Sequence, residues 1–322
     1  MSINVPPPLP QDPGGFTAID TIPATAGAPP EADIAEATRP MWRRGLEVFT
    51  ENRLAVVGLV IFLAVVIFSF LGPLVYHTNQ IQTNLANANL PPGAGHPLGT
   101  DPDGYDELGR LMAGGQVSLE LGLASAVVAT VIGTLWGAVA GYFGGFLDAV
   151  MMRVVDAALS IPILFLLIVL ATIITPTKLS LILIISMASW LAISRLVRGE
   201  ALSLRVREYV QAAKAMGGGS ARIVLRHIAP NAVGTIIVNA TFQVADAIIF
   251  IAYIAYISYL GLGLPPPTTD LGGMLSNGVS YVDDGYWWLI YPAGALIVII
   301  VIAVNFIGDA LRDAFEVRLQ RR

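Results

Sequence analysis

In 322 residues the chain carries 55% hydrophobic and only 13% charged side chains, with a formal net charge of −5. That is more apolar surface than a soluble fold of this length buries, so the sequence reads as an all-α integral membrane protein. With no cysteine, it excludes disulfides, thiolate nucleophiles and zinc–thiolate sites, and His77, His96 and His227 are too dispersed to suggest a metal site.

Residues 1–40 hold nine of the 21 prolines and few large apolar side chains, the composition of a disordered tail. The tail is not a cleavable signal, which needs an early basic region before its apolar run; the first basic residue is Arg39. WRRGLEVFTENR then leads into LAVVGLVIFLAVVIFSFLG, a basic cluster followed by the first of six segments long enough to cross a bilayer core of about 30 Å. The six cover about 54–76, 117–143, 150–175, 179–197, 233–263 and 287–311, which makes residues 41–322 a six-span domain with both ends on one side. If that side is cytoplasmic, all 18 lysines and arginines except Arg110 and Lys178 lie there. The positive-inside rule therefore puts the N- and C-termini in the cytoplasm and the chain in a cell membrane, in contact with lipid.

Before the second span, GTDPDGYDELGR alternates acids as a calcium loop does, but the glycine and glutamate fall at the wrong positions. Asp101, Asp103 and Asp106 there, with Asp283 and Asp284 before the last span, make the outer loops acidic. They suit either contact with another protein or plain solvation. Within the second span Gly133, Gly137 and Gly141 recur every four residues and line one helix face, a seam for close helix packing more readily than a transport-specific feature. Asp246, in FQVADAIIF, is a carboxylate inside the fifth span. It faces either a bundle interior or watery path, or it sits near the span's inner end and reaches water or a partner chain. Asp309 and Arg312 are one turn apart, the spacing of an interfacial ion pair.

Between the fourth and fifth spans, in the loop 198–232, EYVQAAKAMGGGSARIVLRHIAP carries good helix formers up to Met216 and a glycine, Gly217, where a helix ends in the left-handed conformation. Ser220 is placed to cap a second helix whose Ile223, Val224 and Ile228 share a face, and Pro230 sets the start of the next span. The small Ala212 and Ala213 let a partner approach the backbone, with Arg222 and Arg226 offering charged contacts. An amphipathic helix lying on anionic lipid is the other reading. There is no Gly-Lys-Ser/Thr, since Lys178 and Lys214 follow threonine and alanine, so nucleotide chemistry belongs to another polypeptide.

QAAKAMG, nine residues, then HIAP resembles the cytoplasmic coupling loop of ABC-importer permeases. HPLGTDPDGYDELGRLMAGGQVSLELG, GAVAGYFGG, ISYLGLGLPPPTTDLGGMLSNG and NFIGDALRDAFEVRL resemble, in the same order, the second permease of the dipeptide, oligopeptide and nickel import systems. The resemblance implies a type I ABC-importer permease of six helices that pairs with a homologous permease, is driven by two ATP-binding subunits carrying the ATP and magnesium, and receives cargo from an external solute- or peptide-binding protein. The chain itself would be no enzyme, would hold no cofactor or metal and would bind no nucleic acid. Gln211, Ala212, Ala213 and Gly217, with Arg222 and Pro230, would form the coupling element. Gln211 replaces a common glutamate, His227 and Ala229 replace the isoleucine and leucine before the proline, Leu271 stands for a tryptophan, and the YIAY of residues 253–256 lacks a carboxylate frequent there. The expected cargo is a di- or oligopeptide, with a nickel chelate or another small solute as the alternative. An ion-coupled secondary transporter would instead need coupling-ion sites in broken helices and internal repeats, and only Asp246 points that way.

Overall fold

The computed structural model describes residues 49–256 and 264–320. The chain divides into a unit of residues 1–44 and a unit of residues 45–322; the first, and with it the proline-rich tail 1–40, lies outside the described residues.

Helix α1 (Arg53–Val75) starts where the Asn52 side chain accepts hydrogen bonds from the amides of Leu54 and Ala55. A loop over residues 76–106 leads to α2 (Glu107–Phe143), capped by Asp106 and ended at Gly144, whose φ of 64° only glycine adopts cheaply. Two shorter helices follow, α3 (Gly145–Leu159) and α4 (Ile163–Ile173). Thr177 and Ser180 form a reciprocal capping box for α5 (Lys178–Leu204). After it come α6 (Glu208–Ala215), α7 (Ser220–Ile223), a π-helical turn (Val224–Ile228) and a short turn at Ala229–Asn231. Helices α8 (Val233–Tyr256), α9 (Leu271–Val279) and α10 (Tyr291–Gln320) complete the described chain.

Among the described residues, five helices are long and apolar enough to cross a membrane: α1, α2, α5, α8 and α10. The expected third span, 150–175, is not one helix. It is α3 and α4, broken at Ser160–Pro162, because the proline ring disfavours the helical conformation in the residue before it and Pro162 has no amide to continue the ladder. The expected second span, 117–143, is only the later part of α2, which begins at residue 107, and the expected fourth span, 179–197, runs on to Leu204. The last helix starts at residue 291, after a 3₁₀ turn at Trp287–Leu289, and not at 287. Residues 257–263 of the expected fifth span lie outside the described residues.

Helix α2 is the spine. One buried cluster joins it to α1, α8, α9 and α10 through Val65, Leu119, Ile248, Leu271 and Ile300. A second joins it to α3, α5, α6 and α7 through Ala138, Val155, Val197, Val210 and Ile223. A third joins it to α4, α5 and α8 through Leu121, Leu167, Ile185 and Ile251. Its most extensive partner is α5. A Cβ on Gly133 would stand 2.7 Å from the Trp190 carbonyl oxygen, and one on Gly141 2.7 Å from that of Arg198. Gly137 likewise faces the backbone of Ser194 and Arg198. The four-residue glycine period is thus a backbone-to-backbone seam.

Candidate functional site

The segment from α6 to α7 stands on the second cluster. Val210, Ala213, Ile223, Val224 and Ile228 are buried there against Trp190, Val197 and Ala201 of α5. Helix α6 ends as the residue pattern requires. Gly217 has φ 81°, its amide donates to the Lys214 carbonyl at 3.0 Å, and the Gly218 amide donates to the Ala213 carbonyl at 3.0 Å. This is the double hydrogen bond of a Schellman end, which satisfies the last carbonyls and turns the chain sharply.

The other face of α6 is open. Gln211, Ala212, Lys214 and Met216 are exposed, as are Arg222, Arg226 and Pro230 beyond the turn. Two expectations need correcting. Ala213 does not offer itself to a partner: it is buried against the bundle, and Ala212 holds the small outward position. Ser220 does not cap α7; Gly219 occupies that place, without a side-chain cap. Gln211 turns its amide inward, with Nε2 donating to the Arg205 carbonyl at 2.8 Å, so it fixes α6 to the end of α5. Two ion pairs brace the same end: Arg198 grips Asp148 with both Nε (2.5 Å) and Nη2 (2.7 Å), and Arg195 pairs with Asp156 at 2.5 Å, both reaching from α5 to α3.

At the opposite end of α2, the loop 76–106 is tied down by polar contacts. Asp106 is buried: one carboxylate oxygen accepts from the Gly109 amide at 2.8 Å, the other from the Tyr76 hydroxyl and from His96 Nδ1, each at 2.9 Å. Burial and that bond push the Tyr76 phenol up to about 12. Asp101 accepts from the amides of Asp103 and Tyr105 and from Arg110 Nε, while burial raises its carboxyl. Arg110 also lies 3.9 Å over the Tyr105 ring and donates to the Pro267 carbonyl at 2.8 Å; Trp288 Nε1 donates to the Thr100 carbonyl at 3.2 Å. Asp101 and Asp106 therefore hold the loop together. Of the expected docking acids, Asp103, Asp283 and Asp284 are the exposed ones. Arg110 as a bridge was not legible in sequence, because its partner carbonyl is 157 positions away.

Asp270 caps α9, accepting from the Gly273 amide at 2.9 Å. It is fully buried, which pushes its carboxyl up to about 6 against the lowering effect of the Gly273 and Gly272 amides. Asp246 lies within α8, exposed on the chain surface.

The glycine-seamed bundle thus carries a helix–turn–helix seated at one end. Residues 133–321 match the family described as binding-protein-dependent transport system inner membrane component, and residues 40–92 match the N-terminal TM domain of oligopeptide transport permease C. The chain is 35% identical over 299 residues to the oligopeptide transport system permease protein OppC of Bacillus subtilis (strain 168), covering 93% of this chain and 97% of that one. It is 39% identical over 280 residues to OppC of Escherichia coli (strain K12), covering 86% and 91%. It is 40% identical over 291 residues to a putative peptide permease protein of Brucella suis biovar 1 (strain 1330), covering 89% and 94%. The chain belongs to the family of inner membrane components of binding-protein-dependent transport systems.

Proposed function

We propose that this chain is one of two permeases of an ATP-driven oligopeptide importer, and that α6 is the contact through which ATPase subunits move it. The observation that carries this reading is the Schellman-ended α6, seated by Val210 and Ala213 on the α2–α5 core while Ala212 and its neighbours face outward. A short helix rooted in the spine passes a push directly into it. The basic residues on this end support a cytoplasmic placement by the positive-inside rule, with both termini on that side. Helices α3 and α4 together supply a sixth crossing. Lys178, the first residue of α5, reaches Glu120 of α2 at 2.7 Å, far along α2 from Gly145, where α3 begins. The relatives named for oligopeptides support peptide as cargo over a nickel chelate. An external peptide-binding protein would meet the opposite end, where Asp103, Asp283 and Asp284 are exposed.

The test begins with purification of the tagged chain from native membranes in mild detergent and mass spectrometry of what accompanies it. A second permease, ATPase chains and a binding protein are expected; the chain alone, in a detergent that keeps other complexes intact, would argue for a secondary transporter. In the reconstituted complex, Ala212→Arg should leave assembly of the two permeases intact and abolish peptide-stimulated ATP turnover. Gly217→Pro should do the same, since the proline ring holds φ near −65° where the turn needs a positive value. Normal stimulated turnover in both variants would show that the ATPases grip elsewhere.

A further inference from the structure

The geometry points to Asp246 as a binding site for a protonated primary amine, the amino end of a peptide, inside the translocation path. This assignment rests on the peptide-import reading above and adds the group that the permease itself recognises.

Asp246 lies about 20 Å along the α8 axis from Val233, at about 1.5 Å per residue, and so falls within a hydrocarbon core of about 30 Å. It is exposed, and among the described residues nothing donates to it or pairs with it. A carboxylate at that depth is not held against lipid, because the cost is prohibitive unless the group meets water or a partner charge. Among the described residues, four basic side chains are already paired, Lys178 with Glu120, Arg110 with Asp101, Arg195 with Asp156 and Arg198 with Asp148.

Its surroundings on α8 are polar in one direction. Thr235, Asn239 and Asp246 fall at intervals of four and seven residues and share a face. The first two are already satisfied: Thr235 Oγ1 donates to Glu200 of α5 at 3.0 Å, and Asn239 Nδ2 donates to the Thr235 carbonyl at 2.9 Å. Asp246 is thus an exposed anion that lacks a donor among the described residues. A primary ammonium, with a positive charge and three N–H groups, is a small group that answers it. A carboxylate or phosphate would be repelled, and a neutral side chain would leave the charge unpaired.

The assembled complex in proteoliposomes, with trialanine as probe, tests this. Asp246→Asn should lower the rate of trialanine uptake at saturating loaded binding protein by about tenfold, the loss of one charge-assisted contact. Asp246→Glu should retain most of the rate, which a merely structural role would not predict. Because the chain has no cysteine, Asp246→Cys gives a single reporter on it. A water-soluble cationic methanethiosulfonate should modify that cysteine, and trialanine transport should slow the modification. A cysteine the reagent never reaches, whether it faces lipid or is sealed against the second permease, overturns the assignment. So does unchanged uptake by Asp246→Asn. A wild-type complex that moves no trialanine overturns the peptide reading and the amine assignment with it; wild-type uptake combined with an indifferent Asp246→Asn overturns the assignment alone.

Discussion

Asp270 shows what burial does to a capping acid. Its carboxyl titrates at about 6 in the fold, above the ordinary value of 3.8, so between those values the folded chain holds a proton that the unfolded chain releases. Stability from this group is therefore greatest near pH 4 and declines as the pH rises to about 6, then stays level. Asn caps a helix about as well and does not titrate. The midpoint for thermal unfolding of wild type minus that of Asp270→Asn should fall as pH rises from 4 to 6.5; a difference independent of pH would mean the carboxyl keeps its ordinary value. Little of this was legible in sequence, because TTDLGG announces a cap but says nothing of how deeply it is buried. Asp106 misled in the same way. It reads as one acid in an exposed acidic loop, yet Tyr76 and His96, its partners 30 and 10 residues earlier, enclose it.

Among the elements, periodicity was the reliable guide. The spacing of Gly133, Gly137 and Gly141 identified a packing seam, and the helix it packs against needed the fold. A Leu at 137 would place its Cβ inside contact distance of the Ser194 and Arg198 backbone, which no rotamer relieves, so Gly137→Leu should cost about 3 kcal/mol or more. Gly199 is the contrast: nothing lies within 4 Å of an added Cβ, and Gly199→Ala should stabilise α5 by about 0.5–1 kcal/mol. Detergent-resistant thermal unfolding of the two variants should move in opposite directions. The break between α3 and α4 was written in Ser160-Ile161-Pro162 and was outweighed by the apolar run around it. The outward extension of α2 was hidden because Glu107 to Gln116 is too polar to count toward a span, although packing and capping keep it helical. Helix α5 runs past the expected end because Arg198 and Glu200 find partners in Asp148 and Thr235.

For the molecule as a whole, the question is whether the α3–α4 pair crosses the membrane. Phe146 lies at its start and Thr175 just past its end, and both are exposed. In intact cells, Phe146→Cys should resist an impermeant maleimide and Thr175→Cys should react; labelling of both from one side would leave only five crossings. The all-helical, membrane-spanning character followed from composition, whereas the ties that close the far end, Arg110 to Pro267 and Thr100 to Trp288, join stretches too distant in sequence for any local pattern to announce. The 37-residue α2 is about 55 Å long, and its glycines lock it to α5 at close range over successive turns. Such a pair behaves as a stiff rod. At that length a tilt of about 4° about one end displaces the other by about 4 Å. A small angular stroke at one end thus becomes a linear displacement at the other, with no hinge required inside the rod.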